Sequence, residues 1–569
     1  MSSKLDRYRG HEYLIPEQML SWNLSGAGFE HVGVDGKAVR VPVPRPGPNE
    51  VLCRVDAVGL CFSDVKLIMA GSDHPRIRGR DLAVDPTRGG HEASLTIVAV
   101  GEGEEGDYKV GDRYLLQADV YYKGRSMAVG YVIPGAMAEY MIMPKEGLHG
   151  DDGSYLIPIA PGGLGYAEAA LVEPWACVEA AYRIDARTAP LSGGRVLVVN
   201  ASGGDSRPEG LPADAEVTML ASPSPDDVRA AAGDTGAADG LAQSADEQAG
   251  FDDCVLVGAG AGSKGLVEAC LSVLRRDGHL CIVGGGELPR DVMVDIGRMH
   301  YHGIRIVAGA SVGEAYAANA RPDLLPGGAA HLSGAGGPMG LMHVQRAVEH
   351  DEPPAAVVVT DLANDRLAHI EALLGEVAKE RGVRLACLNP KEFAEPAAFE
   401  EALFKAAGKD EFDDIVLCAP VAPLVAVAVG QAAPRCVVNV FAGLAVGKST
   451  ALDLDAIAKK HIRIVGSSGS GLEDMKSIVR KVESGSLRTG RSLAAVGGLA
   501  QTHEGLVGLK EGRFPGKTVI FPGIPDFALT PPADLAGDMP EVAKLLGAGG
   551  VWTIAAEEAF LEEKLVLPE

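Results

Sequence analysis

The chain has 569 residues, with 77 Asp and Glu against 52 Lys and Arg, for a formal net charge of -25. That charge repels nucleic acid and anionic membrane surfaces, so neither is expected as a partner, and the length exceeds what one core supports, implying about three or four domains. Nine scattered cysteines with no CxxC pair fit a reducing cytosol, and no apolar run reaches the roughly 18 residues of a membrane span, so a soluble cytoplasmic protein without structural disulfides is expected.

Residues 1–45 are polar and loop-rich and are assigned to the edge of the first domain. From 51 to 58 the text alternates and is rich in β-branched residues; short strands are predicted there and at 95–100, 113–117 and 139–143, separated by Gly, Pro and Asp. Two glycine-flanked segments fall among them, Gly59-Leu60-Cys61-Phe62-Ser63-Asp64 and Gly89-Gly90-His91-Glu92. Together they offer a thiolate, an imidazole and a carboxylate, which suit a zinc site with an open position. Taken singly, a small buried Cys and a surface His-Glu pair are the ordinary reading. Residues 166–181 are predicted helical and contain Glu173-Pro174, with Pro174 opening a helix; Cys177, one turn on, is read as packing. The cluster Arg76, Arg78 and Arg80 suits either an anion-holding site or a solvated loop, and the loop is preferred.

From Arg195 the pattern changes to strand, turn, helix, strand, as in a parallel sheet, and it occurs twice. Phe251-Asp252-Asp253-Cys254-Val255-Leu256 echoes Phe412-Asp413-Asp414-Ile415-Val416-Leu417, and Ile304-Arg305-Ile306-Val307 echoes Ile462-Arg463-Ile464-Val465. This is an internal duplication. The Ala/Asp/Gly/Ser-rich stretch 222–250 is read as a mobile excursion of the first copy. In the second copy, Ser333-Gly334-Ala335-Gly336-Gly337-Pro338-Met339-Gly340 lies between a predicted strand and a predicted helix, and the next strand ends at Asp361. Such glycines let backbone N–H groups approach a pyrophosphate at a helix N-terminus, and an acid about 20 residues on can hold the ribose hydroxyls. The expected cofactor-binding residues are Gly334, Gly336, Gly337, Pro338, Met339, Gly340 and Asp361. Asp361 would repel a 2′-phosphate, which favours NAD over NADP. The first copy contains the more literal Gly260-Ala261-Gly262-Ser263-Lys264-Gly265, but the duplication places it on a later loop. The fingerprint's counterpart there is Asn200-Ala201-Ser202-Gly203-Gly204-Asp205, where the third glycine is missing and Asp205 opposes a pyrophosphate. One dinucleotide per chain is therefore expected. Residues 555–565 are predicted to form a packed helix.

The two metal segments, their spacing and the following Val110-Gly111-Asp112-Arg113-Tyr114 resemble the zinc-dependent medium-chain dehydrogenase/reductase family, especially its polyol, sorbitol-type branch. The resemblance implies an α/β protein: a β-rich chaperonin-10-like catalytic domain, a Rossmann dinucleotide-binding domain and, here, a second, degenerate Rossmann-like insertion. The corresponding segments are 1–185, the insertion at 186–325, the NAD domain at 326–490, and 491–569 as a return to the catalytic domain plus an extension. It implies Cys61 and His91 as zinc ligands, Glu92 as ligand or close support, Ser63 as the catalytic proton relay, and Glu173 as a further candidate ligand. No Cys lies between Gly111 and Ala138, so a structural zinc is not expected. Lys66 stands where many polyol dehydrogenases have a His, and Leu95 replaces a family glycine. The implied activity is reversible, zinc-dependent, NAD-linked oxidation of a secondary alcohol of a polyol, sugar or sugar phosphate by a homo-oligomer, dimer or tetramer. The alternatives are a metal- and NAD-dependent epimerase or lyase using transient oxidation, which net NADH release would separate, and a non-catalytic dinucleotide-binding protein, for which loss of the metal ligands would be expected.

Overall fold

A computed structural model describes residues 3–77, 79–184, 186–233, 250–317 and 321–568. Its residues fall into two compact units, Met1–Glu179 with Gly469–Glu569, and Ala180–Ser468. The chain thus returns to the first unit at Gly469, earlier than the segment boundary read at 491. Among the described residues no helix is long and apolar enough to cross a membrane.

The first unit is built on a seven-stranded sheet in the order Leu156–Pro158, Arg113–Leu116, Glu92–Val100, Val51–Gly59, Lys517–Phe521, Leu493–Gly498, with Tyr140–Met143 also paired to Val51–Gly59. Pairing is antiparallel except between the last two strands, which helix Thr502–Glu511 joins as a crossover. The alternation read at 51–58 suggests a half-exposed strand, yet every residue of Val51–Gly59 is buried. Its polar members are satisfied internally: Arg54 donates to Asp56 Oδ1 at 2.8 Å, and Asp56 Oδ2 accepts from Thr96 Oγ1 at 2.6 Å. Leu95, in the place of the family glycine, is fully buried opposite Val55. The helical stretch at 166–181 is two helices, Tyr166–Ala170 and Val172–Ala180, so Pro174 lies in a first turn that Val172 opens. The tail ends in helix Ile554–Lys564, where Glu562 accepts the backbone N–H groups of Lys4 and Leu5 at the start of the N-terminal helix.

The second unit holds two wholly parallel sheets. The first copy runs Glu216–Ala221, Arg195–Asn200, Phe251–Val257, Leu274–Val283, Arg305–Gly309, and the second Arg384–Leu388, Ala356–Thr360, Ala329–Ser333, Phe412–Leu417, Ala432–Val440, Arg463–Val465. In both, chain order reverses about a first strand, which creates a crevice at the strand C-termini. The Asp-Asp pair of the duplicated segment explains its repetition. Asp253 holds Arg187 and the Leu191 N–H; Asp414 holds Arg321 and the Leu325 N–H, tying each copy's entry segment to its central strands. Both strands carry the same register irregularity after their Phe. The excursion read at 222–250 lies mostly outside the described residues; its start forms helix Pro225–Ala231.

Candidate metal centre and nucleotide loop

In the first unit, strand Val51–Gly59 ends beside the start of strand Glu92–Val100, with Gly59 opposite Glu92. A side chain at 59 would strike Glu92 Oε2, since a Cβ there falls 2.2 Å from it. Cys61 then stands at the N-cap of helix Phe62–Ala70. Asp64, in that helix's first turn, accepts from the Cys61 N–H at 3.1 Å and the Gly90 N–H at 2.9 Å, and so ties the two metal segments together. Its Oδ1 is also 3.4 Å from His91 Nδ1. Burial would raise the Asp64 carboxyl, but the neighbouring His91 charge and these N–H bonds outweigh it and hold it below the usual range. His91 is desolvated too, yet Asp64 and Cys61 draw it well above an ordinary imidazole.

Ligand atoms of Cys61, His91 and Glu92 all lie within 4.8 Å of one another. Glu173 is outside that cluster. It is nevertheless close enough to respond to it: burial pushes its carboxyl up to about 7, with Glu92 adding and His91 and Lys517 opposing. Cys177 does more than pack, since its Sγ lies 3.6 Å from Glu173 Oε1. Ser63 Oγ is 3.6 Å from Cys61 Sγ, and Lys66 is exposed. Arg76 is paired with Asp119 at 2.6 Å and Arg80 with Asp85 at 2.8 Å; Arg78 lies outside the described residues.

Sequence reasoning missed Lys517. Its Nζ, 3% exposed, donates to Leu60 O at 3.0 Å and to Glu92 Oε1 at 2.5 Å. Desolvation works against its charge, but Glu92 and Cys61 more than restore it, and its pKa is raised. No local pattern links residues 425 positions apart. The residues present fit a metal ion: Glu92 Oε2 is buried, free of hydrogen bonds and part of a set combining thiolate, imidazole and carboxylate, while Oε1 is held by Lys517.

In the second unit, Gly334 follows strand Ala329–Ser333 at φ +68° and donates to Thr360 O at 2.7 Å. Gly337 caps the twelve-residue helix Pro338–Glu349, Pro338 takes its first position and Met339 its first turn. A Cβ on Gly340 would fall 2.4 Å from Ala335 Cα, so the helix can approach the loop this closely only with glycine there. Asp361 follows the adjacent strand, and its carboxylate accepts from the Gly336 N–H at 2.8 Å and the Ala363 N–H at 3.1 Å. The first copy differs in kind: residues 201–215, between strands Arg195–Asn200 and Glu216–Ala221, contain no helix, so no helix N-terminus faces its crevice there, and Asp205 is exposed. Gly260 to Gly265 follow Phe251–Val257, the counterpart of Phe412–Leu417.

A β-rich unit carrying a thiolate–imidazole–carboxylate cluster thus stands in one chain with a Rossmann-type sheet, and likenesses to known proteins support an alcohol oxidoreductase. Residues 47–150 match the alcohol dehydrogenase GroES-like domain. Relatives spanning nearly the whole chain are the uncharacterized protein YggP of Escherichia coli (strain K12), 24% identical over 92% of this chain and 93% of its own, and mannitol-1-phosphate 5-dehydrogenase of Aliivibrio fischeri, 22% identical over 91% and 93%. The fold is shared with 2R,3R-butanediol dehydrogenase from Bacillus subtilis, at 15% identity and a TM-score of 0.50, covering 89% of this chain and 99% of that one. It is shared also with an alcohol dehydrogenase from E. coli CFT073 solved with NADH, at 14% and 0.50, covering 89% and 100%. These likenesses support the zinc-dependent medium-chain dehydrogenase/reductase family, whose GroES-like domain matches residues 47–150, and the chain carries a second Rossmann-like sheet besides.

Proposed function

We propose that the protein catalyses the reversible, zinc-dependent and NAD-linked oxidation of a secondary alcohol in a polyol, sugar or sugar phosphate. The observation that carries this reading is the Cys61, His91 and Glu92 cluster, with Glu92 Oε2 buried and free of hydrogen bonds. Cys61 Sγ, His91 and Glu92 Oε2 would hold the ion, with Glu173 as a further ligand candidate. The bound zinc would supply Lewis acidity that lowers the pKa of the substrate hydroxyl. Ser63 Oγ would take the hydroxyl proton and pass it towards solvent, and a bound nicotinamide would supply the hydride acceptor for the oxidation. Lys517 keeps Glu92 Oε1 engaged, and Asp64 orients the His91 ring.

In the second unit, the N–H groups at the start of helix Pro338–Glu349 would receive the pyrophosphate, and Asp361 would exchange its bonds to Gly336 and Ala363 for the ribose hydroxyls. The near full-length likeness to a mannitol-1-phosphate 5-dehydrogenase supports the substrate class, and the NADH-bound structural neighbour supports the cofactor. The test is a panel of polyols, sugars and sugar phosphates with NAD, read by NADH absorbance with and without a chelator. Chelator-sensitive NADH formation with at least one panel member is expected; turnover untouched by complete zinc removal would refute the reading.

A further inference from the structure

The two parallel sheets of the Ala180–Ser468 unit meet under a two-fold rule. Asp295 and Asp453 cap equivalent helices, Ile296–Tyr301 and Leu454–Lys460, and Ile304 to Val307 repeat as Ile462 to Val465, so each residue here has its counterpart 158 positions later (295 to 453, 304 to 462). Strand Val292–Asp295 pairs antiparallel with strand Ser449–Leu452, and in that pairing Met293 lies opposite Ala451, its own counterpart. On either side, Val292 faces Leu452 and Val294 faces Thr450; the counterpart of Val292 is Thr450 and that of Val294 is Leu452, so the partners are exchanged. A residue paired with its own counterpart between exchanged neighbours marks a two-fold axis, the pattern of an isologous dimer interface. Here it lies within one chain.

The flanking backbone contacts follow the same rule to within one residue. Ile296 N–H donates to Lys448 O at 2.9 Å, and its counterpart Leu454 N–H donates at 3.1 Å to Pro289 O, next to the counterpart of Lys448, Arg290. Two further contacts cross between the copies outside this rule: His300 Nδ1 lies 2.9 Å from Val440 O, and His461 Nδ1 3.1 Å from Ala308 O. Edge strands Arg305–Gly309 and Arg463–Val465 are in contact, and Ile296, Met299, Leu454 and Ile457 are buried in one core continuous across both copies.

We propose that the first copy serves the second as a tethered partner subunit: it fills within the chain the self-complementary surface that the second copy would otherwise present to another molecule. This accounts for the retention of a copy whose nucleotide loop has no helix behind it. The Arg463–Val465 edge is thereby closed to pairing with a second chain, an exposure that sheets otherwise guard against, and any self-association uses other surfaces.

The axis position supplies the test, made on the full-length protein. If second copies paired between chains, two Ala451 residues would face each other, and Ala451→Cys alone would give disulfide-linked dimers on oxidation with diamide. If the first copy is the partner, Ala451→Cys stays a single chain at all protein concentrations, while Met293→Cys/Ala451→Cys closes a disulfide within the chain. Directly opposed antiparallel residues have Cα atoms about 4.5–5.5 Å apart, within disulfide reach, and both positions are exposed, so neither change disturbs the core. Non-reducing gels and intact-mass thiol counts, with the wild type as control for its nine native thiols, read the result. Covalent dimers from Ala451→Cys, or failure of the folded double variant to close within the chain, would overturn the proposal.

Discussion

Lys517→Met removes the cation that faces Glu92 and leaves a fully buried carboxylate with one oxygen newly unpaired. Breaking a buried ion pair from one side costs about 3–5 kcal/mol. At roughly 2–4 °C per kcal/mol for domains of this order of size, the metal-free variant should melt about 6–20 °C below the metal-free wild type in the transition of the first unit. Zinc should recover part of that loss, because the ion gives Glu92 a new positive partner. Removing both charges, as Glu92→Gln/Lys517→Met, leaves no isolated ion and should cost less than Lys517→Met alone. Differential scanning calorimetry of the wild type, Lys517→Met, Glu92→Gln and the double variant, each chelated and zinc-loaded, measures the cycle. A Lys517→Met variant that melts within about 1 °C of the wild type when metal-free, less than the shift for about 0.5 kcal/mol, would refute the buried-pair argument.

Three further outcomes are expected. Ser63→Ala should reduce turnover by about 10²–10⁴-fold, the usual worth of a proton-transfer group, while elemental analysis finds its zinc content unchanged; parallel loss of both would assign Ser63 to support of the metal. Gly340→Asp should abolish NAD binding in calorimetry, since any Cβ there strikes Ala335, whereas Gly262→Asp should leave a stoichiometry near one, because a Cβ at 262 meets nothing within 4 Å; loss only in the Gly262 variant would move the site to the first copy. Glu557, buried against the Tyr166 and Ala167 N–H groups, is pushed by burial up to about 7 from 4.5. Its folded form holds the proton more tightly than the unfolded chain, so stability falls as pH rises from about 4.5 to about 7, by up to about 3 kcal/mol. Urea midpoints at pH 5 and pH 8 should show this decline reduced in Glu557→Gln; an unchanged slope would exclude Glu557 as its source.

The legible parts of the chain were those whose physics is local. Cys61 and His91 come from short segments bounded by glycines that strand ends require, and the Phe-Asp-Asp repeat is readable because each Asp pair binds its own copy's entry segment. Glu173 was legible as a candidate but not in its relation to the cluster, which depends on how helix Val172–Ala180 packs. Lys517 and Glu557 were silent because their partners are 425 and about 390 positions away. The boundary at Gly469 was read late because Leu472–Glu483, amphipathic and well capped, has the local appearance of one more Rossmann helix. The pairing of Met293 with Ala451 joins two short strands that alone look like loop edges, and only the fold brings them together.

The central claim is that Cys61, His91 and Glu92 form one catalytic zinc site. Its most direct test measures zinc per chain and NAD-linked turnover on the same samples of wild type and Cys61→Ala. The account predicts about one zinc per wild-type chain, as an open site with no Cys-rich lobe should hold, and joint loss of zinc and turnover in the variant. Undiminished turnover in Cys61→Ala, or two tightly held zinc ions per wild-type chain, would contradict it.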